Sequence, residues 1–439
     1  MNTAFETSAS QRLIIVGGGA GGLELAAKLG RRFGPEVVTL IDSRPFHIWK
    51  PSLHEAAAGT LDIHQEGLSY FMLARQCGFT FVMGELLGVD RHAKRVHLAG
   101  LSDHGGEQIL PERSLRYDTL VLSVGSVSNF FNTPGAQQHA VTLDTLENAE
   151  QFRLTLLKAL VKVDQAKKDQ PDARLNIVIV GGGATGVELA VELVEASASI
   201  SAYGMPRFKS GRDLSITLIE GSPRLLAALP ERISTAARDR LTSLGINVET
   251  DARVASISPE AVETADGRRF PALISLWAAG IQGPALLKTL DLPLNRNGQL
   301  EVNSVLQSPD PFIYAFGDCA AAPWKDGRTV PARAQAAHQQ ADFLYARLSR
   351  TLRGQPTDDT AYHYEDHGSL ISLGQSAGVG SLMGKLSGRG LFVSGTLARL
   401  MYMSLHLMHH RAILGFWRTA TLALGRLLTR RSRPRVKMH

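Results

Sequence analysis

Two stretches of this chain carry residues whose type and spacing suit phosphate binding. Residues 15–29 read IVGGGAGGLELAAKL and residues 179–193 read IVGGGATGVELAVEL, identical at 11 of 15 positions. Each contains G-x-G-x-x-G: Gly17, Gly19 and Gly22 in the first copy, Gly181, Gly183 and Gly186 in the second. The first glycine makes a tight turn, the second lets the backbone approach a pyrophosphate, and the third lets a helix pack on a strand. The helix that follows presents free N–H groups and its positive dipole end to the phosphates. A lone match of this kind is weak, because a glycine-rich turn can produce it. Here both copies sit between a strand pattern and a helix pattern.

The positioning elements are readable around them. Residues 12–16 and 176–180 are short apolar runs and read as buried strands. Leu23, Ala26 and Ala27, then Val187, Ala190, Val191 and Val194, recur at helical spacing. A strand at 37–41 ends at Asp42, 20 residues after Gly22, where a carboxylate is expected to bind ribose hydroxyls. After the second copy come a longer helix, a loop and a strand at 215–219 ending at Glu220. A carboxylate there favours NAD over NADP, although the nearby Arg224 weakens that preference. Two dinucleotide sites in one chain suit a hydride donor beside a flavin.

Composition limits the alternatives. The 439 residues suggest two or three domains, with 44% hydrophobic and 20% charged residues, ordinary for a globular chain. Cys77 and Cys319 are far apart and make neither a disulfide framework nor a zinc spacing, so no metal site is expected. The N-terminus lacks a secretory pattern, which implies a reducing cytoplasm. The net charge of +6 is unevenly placed: after Asp366 there are eleven Lys/Arg and no Asp or Glu, leaving 36 basic against 41 acidic residues before it.

A third segment, residues 311–320 (PFIYAFGDCA), is an apolar strand ending in Gly317-Asp318. It resembles the second flavin fingerprint of the two-dinucleotide-binding-domain flavoproteins, whose Asp binds the ribityl chain. Residues 118–125 (DTLVLSVG), ending at Gly125, and residues 277–280 (WAAG) fit the same pattern. The implied fold is α/β: two Rossmann-like domains, the NAD domain inserted into the FAD domain, plus a C-terminal amphipathic region. The expected boundaries are 1–140 and 293–350 for FAD, 141–292 for NADH, and 351–439 for membrane anchoring.

The second redox partner separates the families of this superfamily. No CxxxxC or CxxC is present, the stretch 47–55 (HIWKPSLHE) has no cysteine, and two isolated cysteines fall short of a sulfide:quinone set. Cys319 reads as a small packed residue. Residues 179–193, FGDCA, PARAQAAHQQA and the tail segments resemble the type II NADH:quinone oxidoreductases, the single-subunit non-pumping enzymes, closest to the proteobacterial branch, along essentially the whole chain.

The resemblance implies the following roles. FAD, held non-covalently, meets Gly17, Gly18, Gly19, Ala20, Gly21, Gly22, Asp42, Ser43, Gly125, Gly317, Asp318, Ala334 and Gln335, with Lys50 and Lys385 against the flavin and the Leu86 backbone at the adenine. NADH meets Gly181, Gly183, Ala184, Thr185, Gly186, Glu220, Ala279 and Gly280. Glu188 matches the family's glutamate near nicotinamide and flavin; the plain alternative is a first-turn glutamate complementing a helix dipole. Gln335 and Gln339, at i and i+4, share one helix face and suit a quinone carbonyl, ubiquinone or menaquinone; the alternative is an ordinary polar face.

The tail has no run of about 20 apolar residues, so a spanning helix is not expected. Leu397, Met401, Leu405 and Met408 form one stripe, and Ile413 with Trp417 begins another beside Arg418, Arg426 and Arg430. Such helices lie in a membrane interface, and each basic residue near an anionic leaflet adds about 1 kcal/mol. The expected place is the cytoplasmic face of the bacterial inner membrane. A packed hairpin or a homodimer could bury the same stripes; no nucleic-acid partner is expected. Rival functions are a soluble NADH-dependent reductase of ferredoxin or rubredoxin, and a flavoprotein that senses NADH to switch an interaction.

Overall fold

The computed structural model describes residues 11–62, 66–103, 105–374, 378–382, 391–429 and Val436. Lys385 and Arg430 lie outside the described residues. The chain divides into two units, one comprising Met1–Trp49, Gly67–Val127 and Gln282–Glu365, the other Lys50–Glu66, Ser128–Ile281 and Asp366–His439. The crossings therefore fall at 49/50, 66/67, 127/128, 281/282 and 365/366, so residues 351–365 stay with the first unit and the chain from Asp366 goes with the second fingerprint.

In the first unit the strand Leu13–Val16 is buried along its whole length, as a Val/Ile/Leu run covered on both faces of a parallel sheet should be. It lies between Thr119–Leu122 and Val38–Asp42, with Ile313–Ala315 and Thr80–Met83 outside them, all parallel. The first fingerprint feeds the helix Ala20–Phe33. A three-stranded antiparallel sheet, Leu86–Asp90, Arg95–Leu98 and Arg113–Arg116, shares a core with the main sheet.

The second unit repeats the plan. Leu175–Val180 sits between Ile274–Trp277 and Leu214–Ile219, flanked by Ala140–Val141 and Asn247–Glu249, again all parallel. The helix Ala184–Gly204 follows the second fingerprint and runs 21 residues, against 14 for its counterpart. The unit also holds the helix Leu53–Ala58, the antiparallel strands Gly368–Ser372, Gly378–Leu382 and Leu391–Ser394, and the helices Gly395–Leu414 and Phe416–Thr429.

One polar cluster ties two helices of the first unit. Glu24, fully buried on Ala20–Phe33, meets the Lys28 ammonium at 2.5 Å and His338 Nδ1 at 2.7 Å, while Asp342 also pairs with Lys28. His338 and Asp342 belong to the helix Ala334–Thr351. The Glu24 hydrogen bond, outweighing partial burial, raises the His338 pKa above its ordinary value. The folded value exceeds the unfolded one, so this stabilisation is complete below about pH 6.5 and fades as pH climbs through the raised value. His338→Gln should lower the melting temperature at pH 6, and the gap to wild type should narrow toward pH 9. A gap independent of pH would mean that the pair contributes packing alone.

Candidate functional site

The glycines explain themselves sterically. Gly17 and Gly181 have φ of +98° and +113°, a region closed to most side chains. A Cβ on Gly22 would stand 1.9 Å from the Gly17 carbonyl oxygen, and one on Gly186 1.9 Å from that of Gly181. A Cβ on Gly19 or Gly183 would meet nothing within 4 Å. In both units the first and third glycines are packed against backbone and the middle one faces open space, where a pyrophosphate requires it. The residues present therefore fit a dinucleotide in each unit.

The carboxylates are set alike. Asp42 accepts from the Gly18 N–H at 2.7 Å and the Arg44 N–H at 3.0 Å, while burial pushes its carboxyl above the ordinary value. Glu220 accepts from the Gly182 N–H at 2.6 Å and the Ser222 N–H at 2.7 Å. Each acid thus sits at a strand end, anchored to its own glycine loop. Arg224, the residue that weakened the NAD preference, donates to the carbonyls of Ala227 and Leu229 at 2.7 and 2.8 Å, so its guanidinium braces a loop.

Other first-unit residues converge on the same loop. Tyr70 donates to the Gly18 carbonyl at 2.7 Å, and His47 Nδ1 lies 2.9 Å from the same oxygen. Burial lowers the His47 pKa to about 4, so the ring is neutral and carries its proton on Nδ1. Neither residue was singled out from sequence, because both act through one backbone carbonyl. Asp318 accepts from Ser126 Oγ at 3.0 Å, beside Gly317 at φ +72°. Gln340, 2% exposed, accepts from the Gly317 N–H at 2.8 Å. Gln339, the residue expected at a quinone, uses its amide otherwise: it donates to the Glu365 carbonyl at 2.8 Å and accepts from the Glu365 N–H at 3.0 Å. Ala334 and Gln335 open that helix, both half-buried. Ser43 is exposed beside Asp42, Gly125 has positive φ and open space, and the Leu86 side chain lies in the core. Cys319 is fully buried, and burial pushes its thiol up to about 12, which suits a packed residue and no nucleophile. Lys50 is exposed and belongs to the second unit.

In the second unit Gly183, Ala184 and Thr185 are exposed at the helix start, while Gly181 and Gly186 are buried. Trp277 Nε1 donates to the carbonyls of Asn129 and Ala279, both at 2.9 Å, and Gly280 has φ +65° with the Phe131 ring against it. Glu188 is 7% exposed. Its Oε1 accepts from the Ser372 N–H at 2.9 Å, and its Oε2 lies 3.7 Å from His54 Nδ1. Burial, reinforced by the charges of Glu55 and Glu192 and opposed by the Ser372 N–H, pushes its carboxyl up to about 8. His54 is driven the other way, to about 4, also by burial. At neutral pH the pair is therefore a protonated acid beside a neutral imidazole.

The tail helices expose several large apolar side chains. Leu405, Met408, Trp417, Leu424 and Leu428 are 43%, 60%, 80%, 56% and 72% exposed, and Arg418 is exposed too. His409 and His410 are buried. The expectation grouped Ile413 with Trp417, and the structure separates them: Ile413 is fully buried. Gly415, at φ +81°, ends the first helix, so helical spacing does not carry across it. Met401 is half-buried; Leu397 and Arg426 fall within the two helices. No described helix is long and apolar enough to cross a membrane.

Comparison with known proteins agrees with this geometry. Residues 11–341 match the pyridine nucleotide-disulphide oxidoreductase family. The type II NADH:quinone oxidoreductase of Haemophilus influenzae is 37% identical over 98% of this chain and the whole of its own. This chain belongs to the type II NADH:quinone oxidoreductase family. A demethylphylloquinone reductase of Synechocystis is 30% identical over 90% of this chain and 92% of its own. In fold, the chain is similar to NDH2 from Plasmodium falciparum, solved in complex with NADH, with a TM-score of 0.80 at 20% identity over 98% of this chain and all of that one.

The two glycine environments separate folding from binding in this family member. Gly183 has φ −74°, open to alanine. Gly183→Ala should keep the melting temperature and raise the NADH KM about tenfold or more, because a methyl enters the pyrophosphate's place. Gly186→Ala should cost about 1–3 kcal/mol of stability. Thermal melts and NADH kinetics on the two variants check the contrast, and equal melts would contradict it.

Proposed function

We propose that this chain is an FAD-dependent NADH:quinone oxidoreductase working on a membrane surface without pumping protons. The observation that carries the reading is the pair of dinucleotide cradles in a chain related along its whole length to type II enzymes. Bound FAD would supply the hydride acceptor for NADH and the two-electron donor for the quinone. The fingerprint backbone of Gly17 to Gly22, with Ala20 and Gly21 in the helix start, and Asp42 hold its ADP half. Asp318 meets the ribityl chain. In the second unit Glu220 accepts from the NADH ribose and Ala279-Gly280 form the floor of the site.

Glu188 serves the proton movements that accompany electron transfer. What supports this is a carboxyl tuned to about 8, which holds a proton at neutral pH and can release it within the working range. We assign the quinone contact to Gln335 and a positioning part to Gln339, whose two hydrogen bonds to Glu365 fix that helix face.

The apolar surface of Leu405, Met408, Trp417, Leu424 and Leu428 lies in the headgroup region of an anionic leaflet, drawn there by the basic tail. The leaflet is the cytoplasmic one of the inner membrane. A homodimer covering the same surface is the competing outcome.

The decisive experiment follows the flavin spectrum of detergent-purified protein. NADH should bleach it and a short-chain ubiquinone or menaquinone should restore it; a flavin that quinone fails to reoxidise would overturn the reading. Glu188→Gln keeps the shape and cannot carry the proton. It should lower kcat with quinone by about 10²-fold at unchanged FAD content.

Trp417→Ser combined with Leu424→Ser tests the surface. The pair should cut sedimentation with phosphatidylglycerol vesicles, leaving turnover with a water-soluble quinone intact. Unchanged sedimentation, with a dimer that falls apart instead, would assign the surface to a second copy.

A further inference from the structure

Phe131, in the second unit, stands in a place that suits neither its backbone nor its ring. Its φ is +49° and that of Asn132 is +55°, a left-handed pair in which a bulky side chain is an outlier. The ring is 58% exposed, so burial offsets little of that strain.

Hydrogen bonds hold the segment in this shape. The Phe131 N–H donates to Asn129 Oδ1 at 2.8 Å, the Thr133 N–H to the Phe130 carbonyl at 2.8 Å, and Ser128 Oγ to the Asp144 carboxylate at 2.9 Å. Asn129 is tied to residues 277–280 as well. Its carbonyl accepts from Trp277 Nε1 at 2.9 Å, and its N–H donates to the Gly280 carbonyl at 3.3 Å. The Phe130 ring lies against Trp277, with centroids 5.7 Å apart. The Phe131 ring is thereby laid over Gly280, where a Cβ would stand 2.3 Å from it. The three atoms nearest to that Cβ position all belong to the ring.

The sheet indicates what passes this point. On one side of the strand Leu175–Val180 pairs the next strand in the sequence, Leu214–Ile219; on the other side pairs Ile274–Trp277. Parallel sheets take ligands at the carboxyl ends of their strands where the strand order reverses in this way. Gly181 lies at the reversal: a Cβ on it would stand 2.6 Å from the Ala278 carbonyl carbon. Glu220 follows the strand on the first side and marks the adenosine half of a dinucleotide, and the phosphates belong to the fingerprint. The other half then runs toward the end of Ile274–Trp277, where Gly280 and the exposed Phe131 ring stand.

We propose that Phe131 is a binding residue for the nicotinamide end of NADH, its ring forming an aromatic wall against which the pyridine ring packs. The proposal rests on the assignment of the second unit to NADH. Aromatic rings in offset or edge contact attract beyond the area they bury, which fixes the orientation of the pyridine as well as its position. The strained backbone is what puts an exposed ring at that spot, and glycine at 280 is what makes room for it. Fingerprint spacing gave no sign of the residue, because Phe131 lies far upstream of Gly181 in sequence.

The test compares two ligands by calorimetry on the full-length, FAD-loaded enzyme in detergent: NAD⁺, and ADP-ribose, which lacks the nicotinamide ring. Phe131→Gly suits the left-handed backbone and should keep the wild-type melting temperature. It should weaken NAD⁺ binding about tenfold and leave ADP-ribose binding unchanged. Phe131→Tyr keeps the ring and should bind both ligands as wild type does. The KM for NADH should follow the NAD⁺ affinity, while the KM for quinone stays as it was. Equal losses for the two ligands, or a lowered melting temperature in Phe131→Gly, would assign the ring to folding of the loop and overturn the proposal. Wild-type NAD⁺ affinity in Phe131→Gly, or a loss in Phe131→Tyr as large as in Phe131→Gly, would overturn it while leaving the NADH assignment standing. A wild-type enzyme that binds neither ligand would overturn both.

Discussion

A carbonyl oxygen on the first glycine of each fingerprint occupies the place where a side chain on the third would stand. Much else follows from that contact. It fixes how closely the helix approaches the strand, and so where the helix N-terminus points. It leaves the middle glycine facing open space and its neighbour's N–H facing the strand-end acid. Asp42 and Glu220 are then held by nearly the same pair of backbone donors. The parallel order of the two five-stranded sheets is the scaffold that repeats this contact twice.

The repeat is geometric, and its chemistry diverges two residues later. Glu24 and Glu188 occupy equivalent positions after the third glycine, and both are buried. Glu24 meets Lys28 and His338, so its charge is compensated and it fastens two helices. Glu188 faces other acids and a neutral imidazole, so its proton is held well into the neutral range. The same residue type in the same local motif becomes structural in one unit and titratable in the other. The cause lies in what packs against each helix: the Ala334–Thr351 helix in the first case, the Leu53–Ala58 helix and the strand Gly368–Ser372 in the second.

That difference marks what sequence could reveal. Both fingerprints, their strands and the two strand-end acids were legible because turn sterics and strand burial are local. The structure starts the strand predicted at 12–16 at Leu13 and the one predicted at 176–180 at Leu175. The partners of Glu24 and Glu188 were not legible, since they come from segments distant in sequence. Nor was the division of work in the glutamine helix. Spacing put Gln335 and Gln339 on one face, yet it is Gln340, on another face, that holds the Gly317 turn.

The tail shows how far periodicity reaches and where it stops. Helical spacing identifies apolar stripes but does not say which side faces the protein. In a helix packed on a water-soluble core, Leu405 and Met408 should turn inward and the histidines outward. The structure has His409 and His410 buried and Met408 exposed. That reversal is unfavourable in water at about 25 cal/mol per Å² of apolar surface, unless another apolar phase covers it. The basic residues after Asp366, with no acid among them, lie on the same segment. The anionic leaflet proposed above would satisfy both features together: its acyl boundary would take the exposed Leu, Met and Trp, and its headgroups the charge. A second copy of the chain would cover the apolar surface while bringing two strongly basic tails together, so the charge pattern favours lipid.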